Sequence, residues 1–507
     1  MREFKSRITA EEIIVNPSVE ELRALARSDE RTTQYGSASY VSKVRNRSAK
    51  NTFVVPNGIA LGVSQAPITQ EKANQTAEAV LAYLADKRLI QLDKTMGQGD
   101  RTYACRLYVT TDYARLAHMW NNMLFPGSPQ RDPDFVSLYV PEWPERLIFV
   151  DPEAGITFIL GTDYFGEAKK SFLRMAMYAA KKEGALGLHA GSKILRIKGD
   201  NGILRDVGFI MFGLSGTGKT TLTIHDHGLT GEEKVIIRQD DVVMIQPDGS
   251  CLGTENGFFI KTEGLDASQR VLYAAAQRPE AIFENVWVAE DGIIDFSNSQ
   301  LTGNGRGVIL RGHVEGTDAE IDLPKANKVI FITRRQDIIP PVARLTPEQA
   351  AAYFMLGESI ETSAGDPTKA GQSKREVGTN PFIVGPEAEE GNLFLEILRA
   401  NPDMECFLLN TGTVGQSETS SGQKVTIKVS TELMKAIARG GIQWTTDPVW
   451  GYQVPVSIPG VDLEKYCPES YYSPSEYAAR CDKLRDERRR WLAQFPGLAP
   501  EVAGLFQ

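Results

Sequence analysis

The stretch VGFIMFGLSGTGKTTL, residues 207–222, decides how the chain is read. Its apolar run at 207–213 has the length and composition of a short buried strand. The strand feeds G-x-x-x-x-G-K-[ST] at 213–220, and the apolar and threonine residues beyond open a helix. Glycines in such a loop let backbone N–H groups turn inward on phosphate oxygens, where a Cβ would block the approach. Lys219 is then placed to reach β- and γ-phosphates, and the Thr220 hydroxyl to ligate Mg²⁺. Gly213, Leu214, Ser215, Gly216, Thr217, Gly218, Lys219, Thr220 and Thr221 are therefore expected to bind a nucleotide triphosphate.

Working outward, residues 234–241 (KVIIRQDD) form another short strand-like run, closed by Asp240 and Asp241, where P-loop proteins place a metal-binding carboxylate. Residues 328–335 and 404–412 repeat the pattern of an apolar run followed by a loop. Such runs predict a sheet with its ligand site along the C-terminal edge. Upstream, 156–184 reads as strand, loop and helix, with Gly184 as the stop. Lys181 and Lys182 suit the C-terminal end of that helix, but Lys169 and Lys170 sit in its first turn, where the dipole disfavours them. His189 ends ALGLH just before the phosphate-loop strand. Further strands are expected at 106–114 and 145–151, and a helix from about Thr69 to Ala85. Residues 359–380, poor in apolar side chains, suggest a surface loop or a mobile active-site lid. SPSE at 473–476 suits a helix capping box, and the basic run that follows at 485–490 reads as a solvated helix face.

Composition narrows the class. The chain has 507 residues, with 56 Lys+Arg against 65 Asp+Glu and a net charge of −9. With 42% hydrophobic residues it can build a sizeable core. An acidic balance argues against a dedicated nucleic-acid binder, but a local cluster of cations can still receive an anionic small molecule. Five dispersed cysteines, with no CxxC pair, point to a reducing, cytoplasmic compartment. No apolar stretch suits a signal peptide or a membrane span.

Several longer stretches resemble one family. GLSGTGKTTL (213–222), GTDYFGEAKKS (161–171) and PPVARLTPEQ (340–349) resemble the phosphate loop, the paired-lysine segment and the substrate-arginine segment of the ATP-type phosphoenolpyruvate carboxykinases. VRNRSAKN (44–51), IKT (260–262), ENVWV (284–288), LLNTG (408–412) and VPVSIPGV (454–461) match in the same order. The resemblance implies an α/β, two-domain phosphoenolpyruvate carboxykinase-like fold with a P-loop mononucleotide-binding C-terminal domain. Residues 1–184 would form a substrate-side domain, and 185–507 the nucleotide domain with a lid near 359–380. Two departures stand out. Val242, Val243, Met244 and Ile245 replace a family E-H-G-W stretch, and the lid region carries AGDPTKAG.

Roles follow from the resemblance, position by position. Arg47 would grip the carboxylate of oxaloacetate with its planar fork. Tyr164 would lie against substrate or CO₂. Lys170, His189 and Asp241 would hold a catalytic Mn²⁺, the lysine as a neutral amine, a form that the cation and Lys169 would favour. Thr220 would serve the Mg²⁺ that accompanies ATP. Lys169, Lys170, Ser215, Asp240 and Arg344 are implied as catalytic residues, with Arg344 bridging substrate and γ-phosphoryl group. His189, Lys261, Arg344, Lys424, Val425 and Ser430 would line the nucleotide. The implied reaction is ATP-dependent decarboxylation and phosphorylation of oxaloacetate to phosphoenolpyruvate, CO₂ and ADP, in the gluconeogenic direction. Partners are then small molecules, not nucleic acid or membrane. Two alternatives stay open: a kinase of another small carboxylate or hydroxyl compound on this scaffold, and a nucleotide-binding regulator without catalysis.

Overall fold

Alternation of β-branched and helix-forming runs produces a mixed α/β architecture with parallel and antiparallel sheets. The computed structural model describes residues 1–214, 216–360 and 372–507. They divide into two units. The first comprises Met1–Glu183, Gly253–Thr317 and Phe382–Gly385; the second comprises Gly184–Leu252, Asp318–Pro381 and Pro386–Gln507. The sequence division at 184/185 treats all later residues as one piece. Pairing explains why Gly253–Thr317 does not follow it: Ile282–Glu284 runs parallel to Ala38–Tyr40 in a five-stranded sheet that also holds Gly257–Lys261 and Arg306–Leu310.

The first unit also contains an eight-stranded mixed sheet. Its central strands, Tyr103–Thr110, Phe135–Val140 and Ile156–Leu160, are parallel neighbours and almost wholly apolar, as expected for strands covered on both faces. Helix Gly166–Lys182 packs on Phe135–Val140 and Ile156–Leu160 and buries Phe172, Leu173, Met175 and Ala176. It ends at Gly184, whose φ of +81° only glycine adopts freely. Helix Gln70–Leu84 starts where expected, with the Thr69 side chain accepting from the Lys72 N–H.

The second unit is organised by another eight-stranded sheet, in the order Lys234–Gln239, Ala190–Lys198, Leu204–Gly213, Lys328–Thr333, Glu405–Asn410, Val342–Leu345, Gln453–Pro455, Trp444–Thr446. Leu204–Gly213, Lys328–Thr333 and Glu405–Asn410 are parallel. Lys234–Gln239 runs the same way, being antiparallel to Ala190–Lys198, which is itself antiparallel to Leu204–Gly213. Four strands therefore end at one edge, at Gly213, Gln239, Thr333 and Asn410. Phe212, Phe331, Phe354 and Phe394 stack beneath it.

The basic C-terminal run departs from its reading as a solvated face. Helix Pro474–Leu492 buries Tyr477, Cys481, Leu484, Arg488 and Leu492 along one stripe. Arg488 is 0% exposed, ion-paired to Glu358 at 2.8 Å and enclosed by the rings of Tyr353, Trp450 and Phe506. Arg489 and Arg490 keep the solvated role. Of the expected capping box only one half forms: the Ser473 side chain accepts from the Glu476 N–H, while the Glu476 carboxylate accepts from Arg480.

Candidate active site

The strand-end edge of the second unit gathers the residues expected to bind phosphate. Gly213 ends its strand, and a Cβ there would lie 2.5 Å from Thr217 Oγ1. Thr217 Oγ1 donates to the Leu214 carbonyl at 2.8 Å, closing the loop on itself. Gly218 caps helix Lys219–Ile224 at φ +102°, a conformation closed to other residues. Ser215 lies outside the described residues, as does the 361–371 part of the expected lid; the flanking strands Glu358–Ile360 and Ser373–Arg375 pair with each other.

Lys219 Nζ donates to Asp241 Oδ1 at 2.9 Å. His189 Nε2 stands 2.9 Å from the same oxygen. His189 Nδ1 meets the Thr379 carbonyl at 2.5 Å, and a carbonyl can only accept, so Nδ1 carries the proton. His189 and Lys219 therefore meet on a single carboxylate oxygen of Asp241. Thr379 holds its carbonyl there at φ +51°, unusual for a β-branched residue. Asp240 is buried beside Asp241, which is partly exposed. Thr220 and Thr221, in the first turn of the loop helix, are partly exposed.

Lys424 and Val425 flank the same edge: the Val425 N–H donates to the Gly412 carbonyl, and Val425 packs with Val414 and Tyr466. Ser430 is buried in the first turns of helix Ile427–Arg439. Arg344 is not brought to the loop. Val342 is in register with Leu409, which pairs with Ile332 and so is level with Gly213; Arg344 is two residues further along a strand running the other way. There its guanidinium pairs with Glu405 at 2.8 Å. The arginine the structure does place at the loop is Arg334, whose Nη1 donates to the Gly216 carbonyl at 2.8 Å. Thr411 Oγ1 donates to the Thr217 carbonyl at 2.6 Å. Both side chains hold loop carbonyls outward. The TRR ending of the 328–335 run was the available signal for Arg334.

Lys170, Tyr164 and Arg47 belong to the first unit. Asp163 accepts from the N–H groups of Lys43 and Val44 at 2.9 and 2.8 Å, and Glu167 from the Ser48 N–H at 2.7 Å. These bonds fix the segment carrying the exposed Arg47 against the start of helix Gly166–Lys182. Glu284 accepts from the Phe165 N–H at 2.9 Å, and burial pushes its carboxyl up to about 7. Tyr164 is buried against Gly166, where a Cβ would come within 2.5 Å of its ring. Asn304 donates to the Arg45 carbonyl and the Tyr164 hydroxyl, and receives Arg306 at 2.8 Å. Nothing in the sequence reading singled out Asn304 or Arg306.

Lys170 Nζ is buried and finds no hydrogen-bond partner among the described residues. Burial pushes its ammonium down to about 7, with Glu167 opposing and Arg47, Arg306 and Arg174 reinforcing. Lys169 is held in a buried ion pair with Glu255 at 2.9 Å, which answers its unfavourable place in the first turn. Lys261, expected beside the nucleotide in the C-terminal domain, ends a strand of the first unit and pairs with Glu263. Val242, Val243, Met244 and Ile245 are buried, the last three as a strand against Leu186–Leu188, so apolar residues there serve packing.

Among the described residues no three His, Cys, Asp or Glu side chains gather as a metal cage.

Residues 11–464 match the family described as phosphoenolpyruvate carboxykinase, in its ATP-type form. The chain belongs to that family. It is 35% identical over 421 residues to the phosphoenolpyruvate carboxykinase (ATP) of Aeropyrum pernix, covering 82% of this chain and 83% of the relative. The protein so named from Rubrobacter xylanophilus is 29% identical over 494 residues, covering 90% and 88%. That from Parvibaculum lavamentivorans is 28% identical over 469 residues, covering 86% and 83%. This carboxykinase chain contains, among its described residues, no helix long and apolar enough to cross a membrane.

Proposed function

We propose that the protein converts oxaloacetate and ATP to phosphoenolpyruvate, CO₂ and ADP. The observation that carries this reading is the match to the ATP-type carboxykinase family over residues 11–464. The reading assigns the nucleotide to a P-loop domain built on the second unit and the carboxylate substrate to the first. The phosphate loop and Lys219 bind the triphosphate, and Lys219 exchanges its Asp241 partner for phosphate oxygens. Lys424, Val425 and Ser430 flank the nucleotide base. Arg47 takes a substrate carboxylate through two parallel hydrogen bonds, and Tyr164 packs against the substrate.

Oxaloacetate loses CO₂, leaving the enolate of pyruvate, whose oxygen attacks the γ-phosphorus of ATP in line. No covalent enzyme intermediate is required. Lys170, His189 and Asp241 are the residues that would hold Mn²⁺, and Thr220 Mg²⁺; the metal charge supplies stabilisation of the enolate and phosphate oxygens. The Thr379 carbonyl orients the His189 ring through Nδ1. Arg334 and Thr411 brace the loop so that its N–H groups face the phosphates. A cytoplasmic location and small-molecule partners complete the proposal.

The test is direct: purified protein receives oxaloacetate, ATP, Mg²⁺ and Mn²⁺, and phosphoenolpyruvate is measured. Product is expected from the wild type and none from Lys219→Ala. ATP binding without product would overturn the reading, and ATP consumption with another small acid would identify a different kinase.

A further inference from the structure

We propose that Arg174 is a second anion-binding residue of the substrate site, receiving the carboxylate of a four-carbon dicarboxylate that Arg47 does not hold. The inference rests on the proposed reaction and names the feature of the substrate that this site selects.

Helix Gly166–Lys182 carries Glu167, Lys170 and Arg174 on one face, at spacings of three and four residues. The segment bearing Arg47 is tied to that face through the Ser48 N–H and Glu167. Arg174 is only 8% exposed. Among the described residues its guanidinium forms no hydrogen bond or ion pair, and the charges felt there are Glu167, attractive, and Arg47, repulsive. A buried guanidinium left in that state is destabilising relative to an apolar side chain of its size. Asp163 and Glu284 do not relieve it, since Arg115 engages both, at 2.8 and 3.5 Å.

Around Lys170 the structure thus gathers three guanidinium groups, Arg47, Arg174 and Arg306, with Glu167 as the opposing carboxylate. Such a cluster of cations favours an anionic ligand. The planar guanidinium also matches a carboxylate edge better than a rounder anion. When the C–C bond breaks, its electron pair passes to the enolate and the carboxylate leaves as neutral CO₂. A cation fixed at that carboxylate therefore favours binding of the dicarboxylate over its loss. Arg174 is a specificity residue, and its removal should raise KM for oxaloacetate without lowering kcat.

The experiment uses the full chain with Mn²⁺ and compares wild type, R174Q, R174K and R174M. Calorimetry measures affinity for succinate, a dicarboxylate, and pyruvate, a monocarboxylate; thermal unfolding is followed in parallel. Succinate affinity should fall roughly 10- to 100-fold in R174Q and R174M and less in R174K. Pyruvate and ATP affinities should stay within about twofold. R174M should melt no lower than wild type, because an apolar isostere removes a buried unpaired charge; a structural role would instead lower melting and both affinities together. Equal loss for succinate and pyruvate, or no loss for either, overturns the proposal. If wild type makes phosphoenolpyruvate while R174Q and R174K keep full succinate affinity, only Arg174 is misassigned. If wild type makes none and binds neither acid, the underlying reaction falls, and this assignment with it.

Discussion

At the residue scale, chemistry is set by which partner each charged side chain meets. Adjacent lysines in one helix turn separate completely: Lys169 enters an ion pair with Glu255, while Lys170 remains a buried amine without a hydrogen-bond partner among the described residues. Lys219 and His189 converge on one oxygen of Asp241. Lys219→Ala should abolish ATP turnover, because no other described residue of the loop offers a cation to the phosphates; a coupled ADP assay checks this. Arg47→Ala should raise KM for oxaloacetate by roughly 10- to 100-fold, with KM for ATP unchanged, as expected for a lost bidentate carboxylate contact. Loss of both affinities together would show that Arg47 holds the structure rather than the substrate. The sequence shows Lys219 and the paired aspartates because local spacing defines them. It does not show the Lys169–Glu255 pair, whose members lie far apart in the chain.

At the element scale, the parallel strand ends were legible because each apolar run stops abruptly at a glycine, polar or charged residue. Arg344 was not, since its distance from the loop depends on one strand running antiparallel to its neighbours. Arg488 was legible in principle: Tyr477, Cys481, Leu484 and Leu492 define an apolar stripe, and Arg488 occupies a place on it. What no pattern revealed is its partner, Glu358, which also receives Arg375 at 2.7 Å. Removing one member of this buried network, as in Glu358→Gln, should cost about 3–5 kcal/mol in thermal or denaturant unfolding. The nearby guanidinium groups hold the Glu358 carboxyl well below its ordinary value of 4.5 despite burial. A depressed folded value means that this stabilisation is complete above about 4.5 and is lost as pH falls. Wild type should therefore lose stability on acidification more steeply than Glu358→Gln, a difference visible in melting temperatures between pH 6 and pH 3.

At the scale of the whole molecule, each unit is assembled from segments distant in the chain. Ala38–Tyr40 completes its sheet only with Ile282–Glu284, so residues 1–184 are not self-sufficient. A fragment of those residues should fail to unfold cooperatively in calorimetry, whereas the full chain should show cooperative transitions. This non-local pairing is also why Gly253–Thr317 joins the first unit rather than following a division at 184/185. The net charge of −9 likewise describes the exterior, while Arg47, Arg174 and Arg306 concentrate positive charge in the first unit and Lys219 and Arg334 line the loop of the second. The central claim is that decarboxylation and phosphoryl transfer are coupled in one reaction. Carboxyl-labelled oxaloacetate with γ-labelled ATP tests it most directly, by counting CO₂ released and label recovered in phosphoenolpyruvate. One phosphoenolpyruvate per CO₂ is predicted; CO₂ released with pyruvate as the product, or ADP formed without labelled phosphoenolpyruvate, would contradict it.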